Sequence, residues 1–378
     1  MKRLVLIMIL FFLMAALLTT CSGGGGSSSP ITMNCTAPTP PGTVTATKIV
    51  SASVGNDATA SGTCLAYKTI TAALSAASSG DVVWVAPGTY DISNGEVFPI
   101  GVPTGVSLIG DVTNMGNGTT PTLIKGHGSG SSSGYYGNYY AALISGSTTT
   151  ISGFEIDDTV GTTVHSFAIS GDNVSTVATD NTFLTNLYGG VLLQDGGNPV
   201  IMNNTFQSSS YGVYSVCTGT ITIQKNTFSI DLYAITNGSG NAIILGNTIT
   251  TQGWMGIQVY DGSPNIQNNT ISSSGYGYGA LGSSGTASPT VRNNTFNLSA
   301  GPAVWTADSA TPDLGTVLSP GNNIFSSVTG TVISHGSSAT IYAIGNTWPT
   351  TPPICGSQII TTGTGTVVWG TGGSNHCP

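Results

Sequence analysis

Val200-Ile201-Met202-Asn203-Asn204-Thr205-Phe206 is the stretch from which the fold is read, because its last three residues keep returning along the chain. They recur at Asn181-Thr182-Phe183, Asn226-Thr227-Phe228 and Asn294-Thr295-Phe296, and with Ile in third place at Asn247-Thr248-Ile249 and Asn269-Thr270-Ile271. Looser copies follow at Asn323-Ile324-Phe325 and Asn346-Thr347-Trp348. The intervals between the Asn residues are 23, 22, 21, 22, 25, 29 and 23, so a unit of about 22 residues repeats. A period of this length marks a stacked array.

Within each unit, Gly190-Val191 or Gly256-Ile257 opens a short alternating run, and a turn such as Asp195-Gly196-Gly197-Asn198-Pro199 or Asp261-Gly262-Ser263-Pro264 follows. A second run then leads to the Asn. Such short strands cannot bury both faces alone, but stacking successive units does bury them, as parallel sheets along a prism. A helical solenoid would need a sustained 3.6-residue apolar period, which is absent. Propeller blades need about 40 residues or more. The expected fold is therefore all-β, a right-handed parallel β-helix with about 22 residues per rung and an N-terminal capping helix.

Stacking gives the repeated Asn a role. Equivalent side chains lie about 4.8 Å apart, close enough for each amide to bond to the next in a ladder. Asn also tolerates the left-handed backbone of a tight corner. Asn181, Asn204, Asn226, Asn247, Asn269, Asn294, Asn323 and Asn346 are read as this structural ladder, with the Phe or Ile two residues later as an interior column. Tyr67 to Ser79 carries Ile70, Ala73, Leu74 and Ala77 on one helical face before Gly80, and is expected to close the N-terminal end of the coil.

The 378 residues include 53 Gly, with 39 % hydrophobic and only 6 % charged side chains, so a large core is available. The net charge of −8 excludes a nucleic-acid partner, which would demand basic patches. The chain opens with Lys2 and Arg3, an apolar run from Leu4 to Leu18, and Thr19-Thr20-Cys21. This pattern is a secretory signal, too short for a membrane span of ~20 residues. Leu18-Thr19-Thr20-Cys21 resembles a bacterial lipobox, which implies lipid attachment at Cys21, although Thr20 departs from the small residue usual there. The Gly/Ser run from Ser22 to Ser29 suits a tether. An exported protein anchored in the bacterial envelope, at the outer membrane or cell surface, is expected, touching the membrane through the lipid alone. Pairing is the default for the remaining cysteines, and joining neighbours in sequence gives Cys35 with Cys64 and Cys355 with Cys377. Cys217 is left as a small half-buried residue inside the repeats.

From Val54 to Asp111 the chain carries Gly55-Asn56-Asp57, Gly62-Thr63, Tyr67-Lys68-Thr69-Ile70, Ala72-Ala73-Leu74, Gly80-Asp81, Val85-Ala86-Pro87-Gly88-Thr89-Tyr90, Glu96-Val97-Phe98-Pro99 and Val106-Ser107-Leu108-Ile109-Gly110. This segment resembles the N-terminal module of the DUF1565 family, a branch of the pectin-lyase-like β-helix superfamily. The resemblance implies the fold and export, and no activity. The expected organisation is a signal over 1–20, an anchor and tether over 21–45, a DUF1565-like cap and first rungs over 46–111, repeats over 112–348 and a C-terminal cap over 349–378.

Chemistry is sparsely marked, and catalysis is left open, leaning against it. Hydrolysis needs paired carboxylates about 5–10 Å apart, and the densest acidic group is Glu155, Asp157 and Asp158. Glu155 and Asp157 share strand parity, so both could face solvent as a pair or hold Ca²⁺, the one ion considered; otherwise no metal or cofactor is implied. His165 could approach Asp158 across a corner. Lys225 and Arg292 read as outward rung residues, and Asp195 and Asp261 as turn formers at one corner, with Cys217 taking that corner one rung after Asp195. Seven residues after five successive ladder Asn come Tyr188, Tyr211, Tyr233, Trp254 and Tyr276. Turned outward, this column would be a polysaccharide track. Turned inward it would be corner packing of large rings, which is the favoured reading. A loop with Tyr135, Tyr136, Tyr139 and Tyr140 is a second sugar platform by composition. A structural or carbohydrate-binding surface protein is the reading best supported, with a polysaccharide lyase or glycoside hydrolase acting on acidic glycans as the alternative.

Overall fold

A computed structural model describes residues 35–378, apart from 132–137, 159–164, 208–209, 274–277 and 373–374. The signal, Cys21 and the tether therefore lie outside the described residues. The described chain is a right-handed parallel β-solenoid of about eleven turns, each averaging about 24 residues. The rung is longer than the commonest Asn interval because some units, such as that between Asn294 and Asn323, carry extra loop residues.

Three parallel faces enclose one core. The first face holds ten strands, from Lys48–Val50 to Thr290–Arg292, and the second holds nine, from Gly88–Asp91 to Thr295–Leu298. The third holds eleven, among them Asn138–Ser145, Ser166–Asp172, Gly189–Asp195, Tyr211–Cys217, Tyr233–Asn237 and Met255–Val259, with Gly128–Ser131 added antiparallel beside Asn138–Ser145. Equivalent residues pair in register down the stack, as in Thr182 with Thr205, Thr205 with Thr227, and Thr227 with Thr248.

The ladder runs without a break from Asn181 to Asn346. Asn204 donates its backbone N–H and its Nδ2–H to Oδ1 of Asn226, at 2.9 and 3.1 Å, and a second Nδ2–H to the carbonyl of Ala178 at 2.9 Å. Asn226 does the same toward Asn247 and Ile201, and the last links join Asn294 to Asn323 and Asn323 to Asn346. The left-handed backbone at this corner belongs to the residue before each ladder Asn, not to the Asn itself. Asp180, Asn203, Lys225, Gly246, Asn268, Asn293, Asn322 and Gly345 all have φ between 51° and 78°. Gly, Asn and Asp dominate because they tolerate this conformation. Inside, Phe183, Phe206 and Phe228 stack with centroids 4.6 and 4.5 Å apart.

The N-terminal helix is shorter than its apolar pattern implied, Ile70–Ser75, with Ile70, Ala73 and Leu74 buried in the main core. Thr69 caps it, its side chain accepting the Ala72 N–H, and Ala76 closes it. Glu96 satisfies the remaining helix donors, accepting the N–H of Ile70 at 2.5 Å and both N–H and Oγ1–H of Thr71 at 3.0 and 2.7 Å. Cys35 is bonded to Cys64 and Cys355 to Cys377, while Cys217 is free and buried.

Near the C-terminal end, His335 is fully buried between Thr306 and Ala339. Nε2–H donates to the Ala339 carbonyl at 2.8 Å, so Nδ1 accepts the Thr306 hydroxyl at 2.6 Å and the ring is neutral. Burial holds its pKa below the usual 6.5 against the pull of the Ala339 carbonyl. Unfolded chains take up a proton near pH 6.5 while the folded ring resists it, so the stability of this end is full above 6.5 and declines as pH falls below it. Urea midpoints measured from pH 7.5 to 5 should fall, and the fall should be reduced in His335→Gln. Equal slopes for the two proteins would remove His335 as the cause.

Candidate binding surface

The corner leading into the third face decides where the aromatic column points. Two consecutive residues turn inward there, a small one and then a large aliphatic, as in Ala234-Ile235, Ala280-Leu281 and Ala303-Val304. Gly212 takes the small place before Val213, where an added Cβ would meet the Phe228 ring at 2.6 Å. With two inward positions in succession, the residue ahead of them is thrown outward. Simple alternation would have placed Tyr211 on the same side as Val213, inside. The rings are therefore outside the coil, and corner packing in the interior is not their arrangement.

Seven rings form one file. Successive centroids are 4.5 Å apart from His165 to Tyr188, 5.5 Å to Tyr211, 5.3 Å to Tyr233, 6.1 Å to Trp254, 5.5 Å to Tyr278 and 5.3 Å to Trp305. Tyr276 lies outside the described residues, and the ring that follows Trp254 is Tyr278. Trp254 and Tyr278 are 47 % and 49 % exposed, whereas Tyr188, Tyr211 and Tyr233 are half-buried. Tyr188 and Tyr211 rest on an apolar ridge outside the main core that includes Phe167, Leu192 and Tyr214. Burial, and then neighbouring Tyr260 and Tyr278, push the Tyr233 hydroxyl up to about 12, so it stays neutral at physiological pH.

The acidic group stands at the head of this file, arranged differently from its sequence reading. Asp157 and Asp158 are buried, and Glu155 is only half-buried. Asp158 Oδ1 meets His127 Nδ1 at 2.6 Å. Asp157 Oδ2 accepts from Asn186 Nδ2 at 3.1 Å and faces Lys125 Nζ at 3.9 Å, while its Oδ1 is buried with no hydrogen-bond partner. His127 is thus one partner of Asp158, and His165 lies against Tyr188. Burial, and then the Asp157 charge, hold Glu155 above the usual carboxylate range. Tyr140 meets His127 edge-on at 5.0 Å, and its N–H bonds the His165 carbonyl, which links the acidic group to the file. Of the second aromatic platform, Tyr139 is buried and Tyr135 and Tyr136 lie outside the described residues. An imidazole oriented by a buried carboxylate is competent for proton transfer.

The remaining candidates have structural surroundings. Cys217 pairs in register with Asp195, and burial first pushes its thiol up, which makes it a poor nucleophile. Asp172 shares a hydrogen bond with Asp195; burial, then that bond, hold Asp172 above its usual range. Arg292 alternates with the inward Val291 and is buried under the segment that follows, its guanidinium on Asp313 at 2.5 Å. Among the described residues no three His, Cys, Asp or Glu side chains gather as a metal site. A family model described as "Protein of unknown function (DUF1565)" matches residues 53–355. No curated protein matches the chain.

Proposed function

Since the chain belongs to the DUF1565 family, a name that assigns no activity, we propose from its own surface that it binds a polysaccharide along the aromatic file, as an exported protein held in the bacterial envelope by a lipid on Cys21. The observation that carries this reading is the outward file of seven rings at roughly one per rung. Aromatic faces pack against the C–H surfaces of sugars, and a rung spacing of about 4.8 Å is close to the rise of an extended glycan per sugar. The anchor rests on Cys21 following an apolar segment, with a Gly/Ser run to hold the coil clear of the lipid.

A glycan array should retain the protein on one polysaccharide class. For the glycan so found, Trp254→Ala should weaken binding by about 1–1.5 kcal/mol, roughly tenfold, without altering the melting temperature. An array with no retained glycan, or wild-type affinity in both Trp254→Ala and Tyr278→Ala, would overturn the reading.

Cleavage of the bound glycan, by a lyase or hydrolase, is a second reading favoured by the His127–Asp158 pair beside Asp157 and Lys125. Assays for reducing ends and unsaturated products decide it, with His127→Ala and Asp157→Asn as the variants in which turnover must vanish.

A further inference from the structure

A hollow opens on the third face where one rung carries two small side chains. Thr236 stands below Tyr214 and above Gln258 in the pairing register. Gly238 lies against Val216 on one side, and Tyr260 follows on the other, its N–H bonded to the Asn237 carbonyl. Outward side chains stand nearly perpendicular to a sheet, so two small residues flanked by large ones leave a gap. Its volume is about 370 Å³, within the roughly 300–1,000 Å³ of small-molecule sites. Tyr214 and Tyr260 bound it along the stack, and the parallel rings of Tyr211 and Tyr233, 5.3 Å apart, form its side wall. Asp261 stands at the rim.

We propose that this hollow is an aromatic cage for the trimethylammonium group of a choline-type ligand, with Asp261 as the counter-charge. Four tyrosine rings line the hollow, and an aromatic ring attracts a cation over its face more strongly as the cation is desolvated. Thr286 donates its N–H and Oγ1–H to Asp261 Oδ1 at 3.1 and 2.6 Å, which fixes the carboxylate and keeps it ionised. No Lys or Arg occurs in any strand of the third face, and none at all between Lys125 and Lys225, so the protein supplies no cation of its own to this surface. On the floor, Thr236 is buried, its Oγ1 shielded from solvent. An anionic substituent next to the ammonium would meet Asp261, so betaine should bind more weakly than choline.

Tyr211 and Tyr233 also belong to the glycan file, but Tyr214, Thr236, Tyr260 and Asp261 do not, so the two readings fail separately. The test titrates the full chain with choline chloride by calorimetry, beside 3,3-dimethyl-1-butanol, its uncharged carbon analogue. Saturable choline binding is expected, with the analogue weaker by roughly tenfold or more. Tyr260→Ala should weaken choline by a similar factor. So should Gly238→Ala, whose added Cβ would meet Val216 Cγ1 at 2.6 Å. Thermal melts of both variants separate lost binding from lost folding. Tyr342→Ala, exposed on a strand outside the third face, should leave the choline titration unchanged. The cage is refuted by the absence of saturable choline binding, by equal binding of the analogue, or by wild-type affinity in folded Tyr260→Ala. Choline binding without any glycan binding would support the cage and overturn only the polysaccharide reading.

Discussion

Asn226→Ala is expected to lower the stability of the coil by about 3–5 kcal/mol, since each buried polar group left unpaired costs about 1–3 kcal/mol. Oδ1 of Asn226 accepts two donors from Asn204, its backbone N–H at 2.9 Å and its Nδ2–H at 3.1 Å, and both lose their acceptor on truncation. The carbonyl of Ile201 loses the Nδ2–H that reaches it, and Oδ1 of Asn247 keeps only one of its two donors. All of these side chains are about 1 % exposed or less, so water cannot replace the lost partners without opening the corner. A solenoid is held by its nearest-neighbour interfaces. The break at Asn226 therefore falls between two halves that each retain a ladder, and the single urea transition should broaden or split. Asn346→Ala, at the last rung of the ladder, should cost less, because its side chain is only half-buried and water can reach the two Asn323 donors that lose their acceptor. Urea denaturation read by far-ultraviolet circular dichroism measures both variants. A loss below about 1 kcal/mol at Asn226 would mean that the amides are ornaments on a coil held by its backbone pairing alone.

The same register explains what could be read from sequence and what could not. The Asn-Thr-Phe period exposes the stack because equal spacing along the chain becomes alignment in space, and each Asn and Phe sits at a fixed place in its unit. The aromatic file could be counted only as far as the units stayed equal. The unit after Asn269 is 25 residues long rather than 22, so counting seven places from that Asn stops at Tyr276, two residues short of the ring in contact with Trp254. Its direction was hidden by the paired inward residues of the third face, which break the two-residue alternation on which parity arguments rest. The partnership of His127 with Asp158 spans 31 residues in a region with no Asn-Thr-Phe to set the register. The hollow depends on what Gly238 lacks relative to Val216 and Tyr260, a difference between rungs rather than a motif within one. Similarly, the left-handed corner was read one residue late, on the ladder Asn rather than on the Gly, Asn or Asp before it, and Lys225 shows that stacking can impose that backbone on a residue with no preference for it.

Glu96→Ala should be the most damaging single change at the N-terminal end, again by about 3–5 kcal/mol. The first N–H groups of any helix have no partner within it, and here they are turned into the body of the protein. Glu96 is 3 % exposed, comes from the loop 26 residues beyond Ile70, and accepts from both Ile70 and Thr71. Burial pushes its carboxyl above the usual range, and the Thr71 and Ile70 donors oppose that shift; the side chain is therefore tolerated inside only while those donors face it. Truncation strands the buried Ile70 N–H and the part-buried Thr71 N–H at once, and it frees the helix whose Ile70, Ala73 and Leu74 lie in the main core. Thr69→Ala should cost only about 1 kcal/mol, the usual loss of a cap, although Thr69 Oγ1 also bonds Asp57 at 2.9 Å. Glu96→Gln should fall between the two, because it keeps one acceptor and sets an NH2 against the remaining donors. Urea midpoints rank the three variants, and hydrogen exchange at the Ile70 and Thr71 amides identifies the cause. Rapid exchange there in Glu96→Ala, with the rungs near Asn226 still protected, is the expected pattern. Unchanged protection at those two amides would show that the helix holds its place without the carboxylate.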